Sequence, residues 1–321
     1  MFPIFSDNLI LSQCFDRLFE NIEADCSLSQ NSVETYKRIC PRIIQFFGDI
    51  NIKKLDARMI TGYKQFLNRP SQKKERLSAT YKNQHLTLLR ILLKFIKEKE
   101  NIKAMDYTLV TKYKVSVKEV EFLNESELSR LMNYPSDKTI TGCRMRAYLE
   151  TSISTGCRLT EIRNLKIADI DFENGSANIR TKGDKPHTIL FNKSSLEAIK
   201  KYLDMRKDNH QNLFVTAMPH PKPWQGNDIE RSLRMIGRKL KLRKNLRPHL
   251  LRKSAATILY KNNVPLGVVQ NFLNHASART TLLHYLGNSN FQELERNHRR
   301  VMDNLNFKDK TDLSGEEVEL Q

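Results

Sequence analysis

Apolar positions in the first hundred residues recur at three and four, the period of helices that bury one face. Leu9, Ile10, Cys14, Leu18 and Phe19 mark a first helix. Val33, Tyr36, Ile39, Ile43, Ile44 and Phe47 mark a second, capped by Asn31 or Ser32, kinked at Pro41 and ended by Gly48. A third runs from Asp56 to Leu67, up to the breaker Asn68-Arg69-Pro70. Ser78 opens a long fourth through Tyr81, Leu88, Leu89, Leu92, Leu93 and Ile96. Four helices in about 100 residues predict a small bundle. From 106 to 122 the period fades, and Asn124 with Glu127 three residues on predicts a capping box that opens a new domain.

The second half mixes periods. One helix passes from about Thr141 through Met145, Tyr148, Leu149 and Ile153 and stops at Gly156, and a short one follows over Leu159, Ile162 and Leu165. Ile170-Asp171-Phe172 and Ala177-Asn178-Ile179 flank Asn174-Gly175, a strong hairpin signal, and Lys182-Gly183-Asp184-Lys185 turns the chain into Thr188-Ile189-Leu190-Phe191. The remainder reads as helical, with Pro248 in a first helical turn, interrupted by a surface loop holding Pro219, Pro221, Pro223 and Trp224. Tyr202 and Tyr260 read as packing residues. Thr-Gly-Cys-Arg occurs twice, at 141–144 and 155–158, leading into a helix the first time and ending one the second. The expected fold class is mainly α: a helical bundle over 1–108, a linker over 109–122, and a mostly helical α+β domain over 123–305 with a small antiparallel three-stranded sheet. An acidic tail occupies 306–321.

A chain of 321 residues fits two domains, and 39% hydrophobic residues exclude wholesale disorder. No apolar run reaches the length of a membrane span, and the N-terminus lacks a signal-peptide layout. Five widely spaced cysteines without a CxxC pair argue against a disulfide framework and a zinc ribbon, so a cytoplasmic protein is expected.

Charge changes the picture most. Lys and Arg number 54 against 36 Asp and Glu, a net +18 that points to a polyanion partner. No acidic residue lies between Glu230 and Glu293, a stretch containing Arg231, Arg234, Arg238, Arg243, Lys244 and Arg247 among its cations. A solvated helix face normally mixes signs, so the missing acids suggest contact with phosphates. A second basic stretch, Lys73 to Lys103, includes Lys82 and Arg90 on the polar side of the bundle's last helix. These eight residues are the candidate DNA contacts.

The candidate chemistry is cationic. There is no HExxH, no GxxxxGK[ST] loop, no histidine spacing suited to a metal, and no clustered carboxylates in the most basic region, so neither a metal nor ATP is expected as a cofactor. What remains is Arg158 past a helix end, Lys182 in a strand-to-strand turn, His249 and Arg252 one helical turn apart, His275 after an apolar helix, and Tyr285. Two guanidiniums can clamp the oxygens of a pentavalent phosphorus, Lys can protonate a leaving oxygen, His can accept a proton, and a tyrosine hydroxyl can form a phosphoester. Lys185 is the alternative to Lys182, and Glu161 reads as a hydrogen-bonding support.

In order and local sequence these pieces resemble the tyrosine recombinase (phage integrase) family. The matching segments are Thr155-Gly156-Cys157-Arg158-Leu159-Thr160-Glu161-Ile162, Thr181-Lys182-Gly183-Asp184-Lys185, His249-Leu250-Leu251-Arg252, and Leu273-Asn274-His275-Ala276-Ser277-Ala278-Arg279-Thr280-Thr281 leading to Tyr285. The bundle resembles that family's core-binding domain. The resemblance implies that Arg158 and Arg252 bind the scissile phosphate, Lys182 is the general acid, His249 and His275 assist, and Tyr285 attacks to leave a 3′-phosphotyrosyl link and a free 5′ hydroxyl. It implies double-stranded DNA with a specific site as the substrate, a C-shaped clamp of two domains around the duplex, a homotetramer on two duplexes, and accessory DNA-bending proteins as further partners. The absence of an arm-binding segment points to a simple, Xer-like reaction. The chain departs from the family pattern in three places. Lys253 stands where a second His is common, Asn274 replaces a common Gly, and Tyr285 lies ten residues after His275 rather than nine, His284 being the ninth. A type IB topoisomerase and a non-catalytic DNA-binding module of the same fold are the alternatives.

Overall fold

The four apolar stripes of the first third become α1 (Leu11–Ala24), α2 (Gln30–Phe47), α3 (Ala57–Asn68) and α4 (Ala79–Glu98) in a computed structural model, which describes residues 9–70, 76–115, 121–181 and 186–274. Their ends follow side-chain chemistry. Asp56 accepts from the Met59 N–H at 2.7 Å and Ser78 from the Tyr81 N–H at 3.2 Å, each filling an orphan donor of a first turn. Gly48 ends α2 at φ +71, a backbone region that a Cβ disfavours. The start of α2 is a correction: Ser29, not Asn31 or Ser32, is its N-cap, and the helix continues through Pro41.

Leu11, Phe15, Leu18, Ile39, Ile43, Tyr63, Leu67, Leu89 and Leu92 are among the fully buried residues that hold these helices together. At the centre, Tyr63 Oη and His85 Nδ1 are hydrogen-bonded at 2.7 Å. Burial, with help from Arg42, pushes this imidazole down to about 4, so it is neutral at ordinary pH.

The chain divides into two units, Met1–Val117 and Lys118–Gln321. The division falls within the expected linker, 109–122, whose first part packs on the first unit. Val110 is fully buried in the first core, and Tyr113 Oη donates to the Lys64 carbonyl at 2.8 Å. The segment has no period because it is pinned residue by residue rather than along a face.

The second unit is built around α6 (Ile140–Thr155), preceded by α5 (Glu125–Met132). Asn124 and Glu127 form the expected capping box of α5. Apart from the half-buried Ile153 and Ser154, residues 147–155 of α6 are buried, as in a helix surrounded by partners. Its neighbours are α8 (Lys193–Asp204) and α10 (Pro248–Lys261). Between them run α7 (Leu159–Asn164), the antiparallel meander β1 (Ile170–Asp171), β2 (Ser176–Arg180) and β3 (Pro186–Leu190), and α9 (Gly226–Lys239). Gly175 takes φ +62 in the first turn of the meander, as the Asn-Gly pair predicts. Alternation turns Ala177, Ile179 and Ile189 into the core. A short α11 (Leu266–Phe272) packs on α10 through Val269 and Leu273 against Ala256.

Trp224 is a further correction. It is 3% exposed, with Arg144 stacked 4.1 Å from its ring centroid and Tyr148 meeting it edge-on at 5.7 Å. The local prolines signal a loop, but the loop folds back to deliver the indole to the core. The two Thr-Gly-Cys-Arg segments accordingly serve different ends: Arg144 lies under the tryptophan, and Arg158 lies at the site described next.

The five cysteines are free thiols; Cys14, Cys40, Cys143 and Cys157 are buried, and Cys26, between α1 and α2, is exposed.

Candidate active site

The site begins at a helix end. Gly156 closes α6 in the left-handed conformation, φ +60, with its N–H on the Ser152 carbonyl at 3.1 Å. A Cβ there would stand 2.4 Å from Cε1 of Phe272, so only glycine lets α11 pack this closely. The turn aims Arg158 into position ahead of α7. Glu161, three residues on, accepts from the Arg158 backbone N–H at 2.6 Å and from its Nη1 at 2.9 Å. Its side chain is only 8% exposed while that of Arg158 keeps 42%, so a nearly buried carboxylate orients a reachable guanidinium.

Arg252 enters from α10 and is 6% exposed. Its Nη1 donates to the Gly156 carbonyl at 2.5 Å and its Nη2 to the Leu273 carbonyl. Arg158 Nη2 donates to the next carbonyl, Asn274, at 3.2 Å. The two arginines thus converge on consecutive carbonyls at the end of α11. Carbonyls without helical partners carry partial negative charge, which favours cations there. Asn274 itself stands at φ +44, the left-handed region where asparagine is the best substitute for the usual glycine.

His249 is exposed in the first turn of α10, one turn before Arg252. Lys253 is half-buried, and burial, followed by Arg247, lowers its ammonium pKa. Burial pushes the Cys157 thiol up to about 11, which leaves it protonated and a poor rival nucleophile beside the arginines. Lys182 and its alternative Lys185, His275 and Tyr285 lie outside the described residues.

Of the candidate DNA contacts, Arg231, Arg234 and Arg238 are exposed on one face of α9, and Arg243 and Arg247 are exposed beyond it. Lys244 is ion-paired with Glu127 at 2.6 Å. Lys82 Nζ donates to Asn68 Oδ1 at 2.7 Å, and Arg90 Nη1 to the Val110 carbonyl at 3.1 Å. Those three have structural work within their own units.

Gly156 yields a prediction. Gly156→Ala is expected to lower the unfolding free energy by about 2–4 kcal/mol, through left-handed strain and displacement of Phe272. Gly267→Ala on α11 is the control, because a Cβ there meets nothing within 4 Å. Denaturant titration should show the first variant weakened and the second unchanged or slightly stabilised.

Residues 121–292 match the phage integrase family, and residues 11–115 match the phage integrase SAM-like domain. The chain belongs to the phage integrase family, the tyrosine recombinases, enzymes that cleave and rejoin DNA at specific sites. Tyrosine recombinase XerD of Halalkalibacterium halodurans is 26% identical over 280 residues, covering 83% of this chain and 89% of that one. Tyrosine recombinase XerC of Lacticaseibacillus casei is 28% identical over 217 residues, 66% and 73% of the two chains. The fold is shared with the XerH site-specific recombinase bound to its palindromic difH substrate (TM-score 0.68, 24% identity, 91% of this chain and 85% of that one). It is shared also with a lambda integrase dimer bound to a core site (TM-score 0.68, 17% identity, 89% and 80%).

Proposed function

We propose that this recombinase works through Arg158, Lys182, His249, Arg252, His275 and Tyr285, without metal or ATP. The observation that carries the reading is the convergence of Arg158 and Arg252, one oriented by Glu161 and the other held in the core, beside the backbone that runs on to His275 and Tyr285. The Tyr285 oxygen attacks the scissile phosphorus and the bond to the 5′ oxygen breaks. The two guanidiniums bind the non-bridging oxygens, where negative charge accumulates. Lys182 gives its proton to the leaving 5′ oxygen, and a histidine, His249 or His275, receives the tyrosine proton. The 3′-phosphotyrosyl link conserves the bond energy, so a partner strand's 5′ hydroxyl can reverse the step.

The substrate is double-stranded DNA with a recombination site, bound through the exposed arginines of α9, Arg243 and Arg247, with Lys82, Arg90 and Lys244 as secondary contacts. Two duplexes and four copies assemble for exchange, with accessory DNA-bending proteins as partners, in the cytoplasm. Among the described residues no helix is long and apolar enough to cross a membrane.

The test is a nicked suicide duplex carrying the site recovered by selecting bound DNA. Wild type is expected to form a covalent adduct through the 3′ phosphate. Binding without any adduct would make the chain a DNA-binding module, and relaxation of supercoils on any sequence without strand exchange would make it a topoisomerase.

A further inference from the structure

α10 carries His249 and Arg252, and the chain enters the second unit against the back of this helix. Arg252 leaves one side of it, for the carbonyls of Gly156 and Leu273. At 3.6 residues per turn, Ser254 and Lys261 lie about 200° and about 180° round the axis from Arg252. Both meet the entry segment. Ser254 is fully buried; its Oγ accepts the Leu123 N–H at 2.7 Å and donates its own proton to the Leu250 carbonyl at 2.8 Å. Lys261, the last residue of α10, holds its ammonium 4.5 Å from the centroid of the Phe122 ring. A third tie lies before the helix. Lys244 stands 5.8 Å from the same ring and pairs with Glu127, the residue that closes the capping box of α5.

We propose that Ser254 is a positioning residue of the phosphate site: through its hydroxyl, Phe122-Leu123 braces α10 from behind and fixes where Arg252 points. The inference rests on the reading that Arg252 binds the scissile phosphate. The three ties, before α10, at its middle and at its end, bracket the turn that holds His249 and Arg252. A helix held only by apolar packing can still roll or slide by a fraction of a side chain, and misplacement by about 1 Å can cost 10²-fold in rate. Of the three ties, that of Ser254 is the one sealed from water, where a hydrogen bond is strongest and an unpaired N–H least tolerated.

Thr257 supplies an internal comparison. It is buried on the same helix and donates to the Lys253 carbonyl at 2.8 Å, the same bond to the carbonyl four residues back that Ser254 makes. Among the described residues it makes no bond to the entry segment. Loss of either hydroxyl removes the same kind of bond within the helix. Only loss of the Ser254 hydroxyl also leaves the N–H of the fully buried Leu123 without its acceptor.

Two measurements on the full-length chain test this. The first needs no DNA: the guanidinium resonances of Arg252, assigned by their loss in Arg252→Lys, report how firmly the side chain is held. Ser254→Ala should speed their exchange with water about 10-fold, and Thr257→Ala should leave them as in wild type. The second is single-turnover adduct formation at saturating suicide duplex. Ser254→Ala is expected to slow it about 10-fold with duplex affinity unchanged, and Thr257→Ala to stay close to wild type. Phe122→Ala, at a half-buried position, should move both readouts the same way but less. Arg252 resonances or a cleavage rate that match wild type in Ser254→Ala overturn the proposal. So does a rate that falls equally in both α10 hydroxyl variants, the mark of a general loss of stability. If Ser254→Ala does not fold, wild-type behaviour of Phe122→Ala overturns it. No adduct from wild type, with Arg252 loosened as expected in Ser254→Ala, leaves the brace standing and sinks the recombinase mechanism instead.

Discussion

Tyr285→Phe is expected to bind the recombination site as tightly as wild type and to form no covalent adduct. The substitution removes one oxygen and leaves the ring, so only the proposed nucleophile is lost while the arginines that would hold the phosphate are untouched. No rival described nearby can take its place: Cys157 is held protonated by burial, and a histidine would leave an acid-labile phosphoramidate rather than a stable phosphoester. Gel-shift affinity and denaturing electrophoresis of the suicide-substrate reaction, run on the same samples, check both halves. An adduct in the phenylalanine variant would move the nucleophile to another hydroxyl.

Arg252→Ala should act twice. Removing a guanidinium proposed to stabilise the pentavalent phosphorus is expected to slow adduct formation by at least about 10²–10³-fold, the scale for one preorganised donor at a developing oxyanion. The same change strips hydrogen bonds from the Gly156 and Leu273 carbonyls in a buried setting. Each orphaned group costs about 1–3 kcal/mol, so the variant should also unfold at lower denaturant. Arg252→Lys separates the effects. It keeps the positive charge but cannot span two carbonyls and a phosphate at once, so it should recover part of the stability and little of the rate. A lysine variant with near-wild-type cleavage would show that charge alone suffices there.

The parts legible in the sequence were those fixed by local chemistry. Asp56, Ser78 and Asn124 each announce a helix through a side-chain oxygen that meets a backbone N–H within three residues. Asn174-Gly175 announces its turn because of the left-handed backbone it needs. The arginine pair was legible because Arg158 follows a helix-ending glycine and Arg252 shares a helical turn with His249. What escaped depends on distant contacts. Nothing near Trp224 says that Arg144 will stack on it, and nothing near Val110 says that an aperiodic segment will close the first core.

The uneven sealing of the thiols has a practical consequence. Cys14, Cys40, Cys143 and Cys157 are inside the two cores, and burial raises the pKa of each. Thiolates are the reactive species, so these four should resist alkylation while the chain is folded. A maleimide fluorophore added to the unmodified protein will couple at Cys26, one dye per chain by intact mass. The first unit thus comes with a native attachment point for watching its arrival on a duplex, and no cysteine need be engineered away.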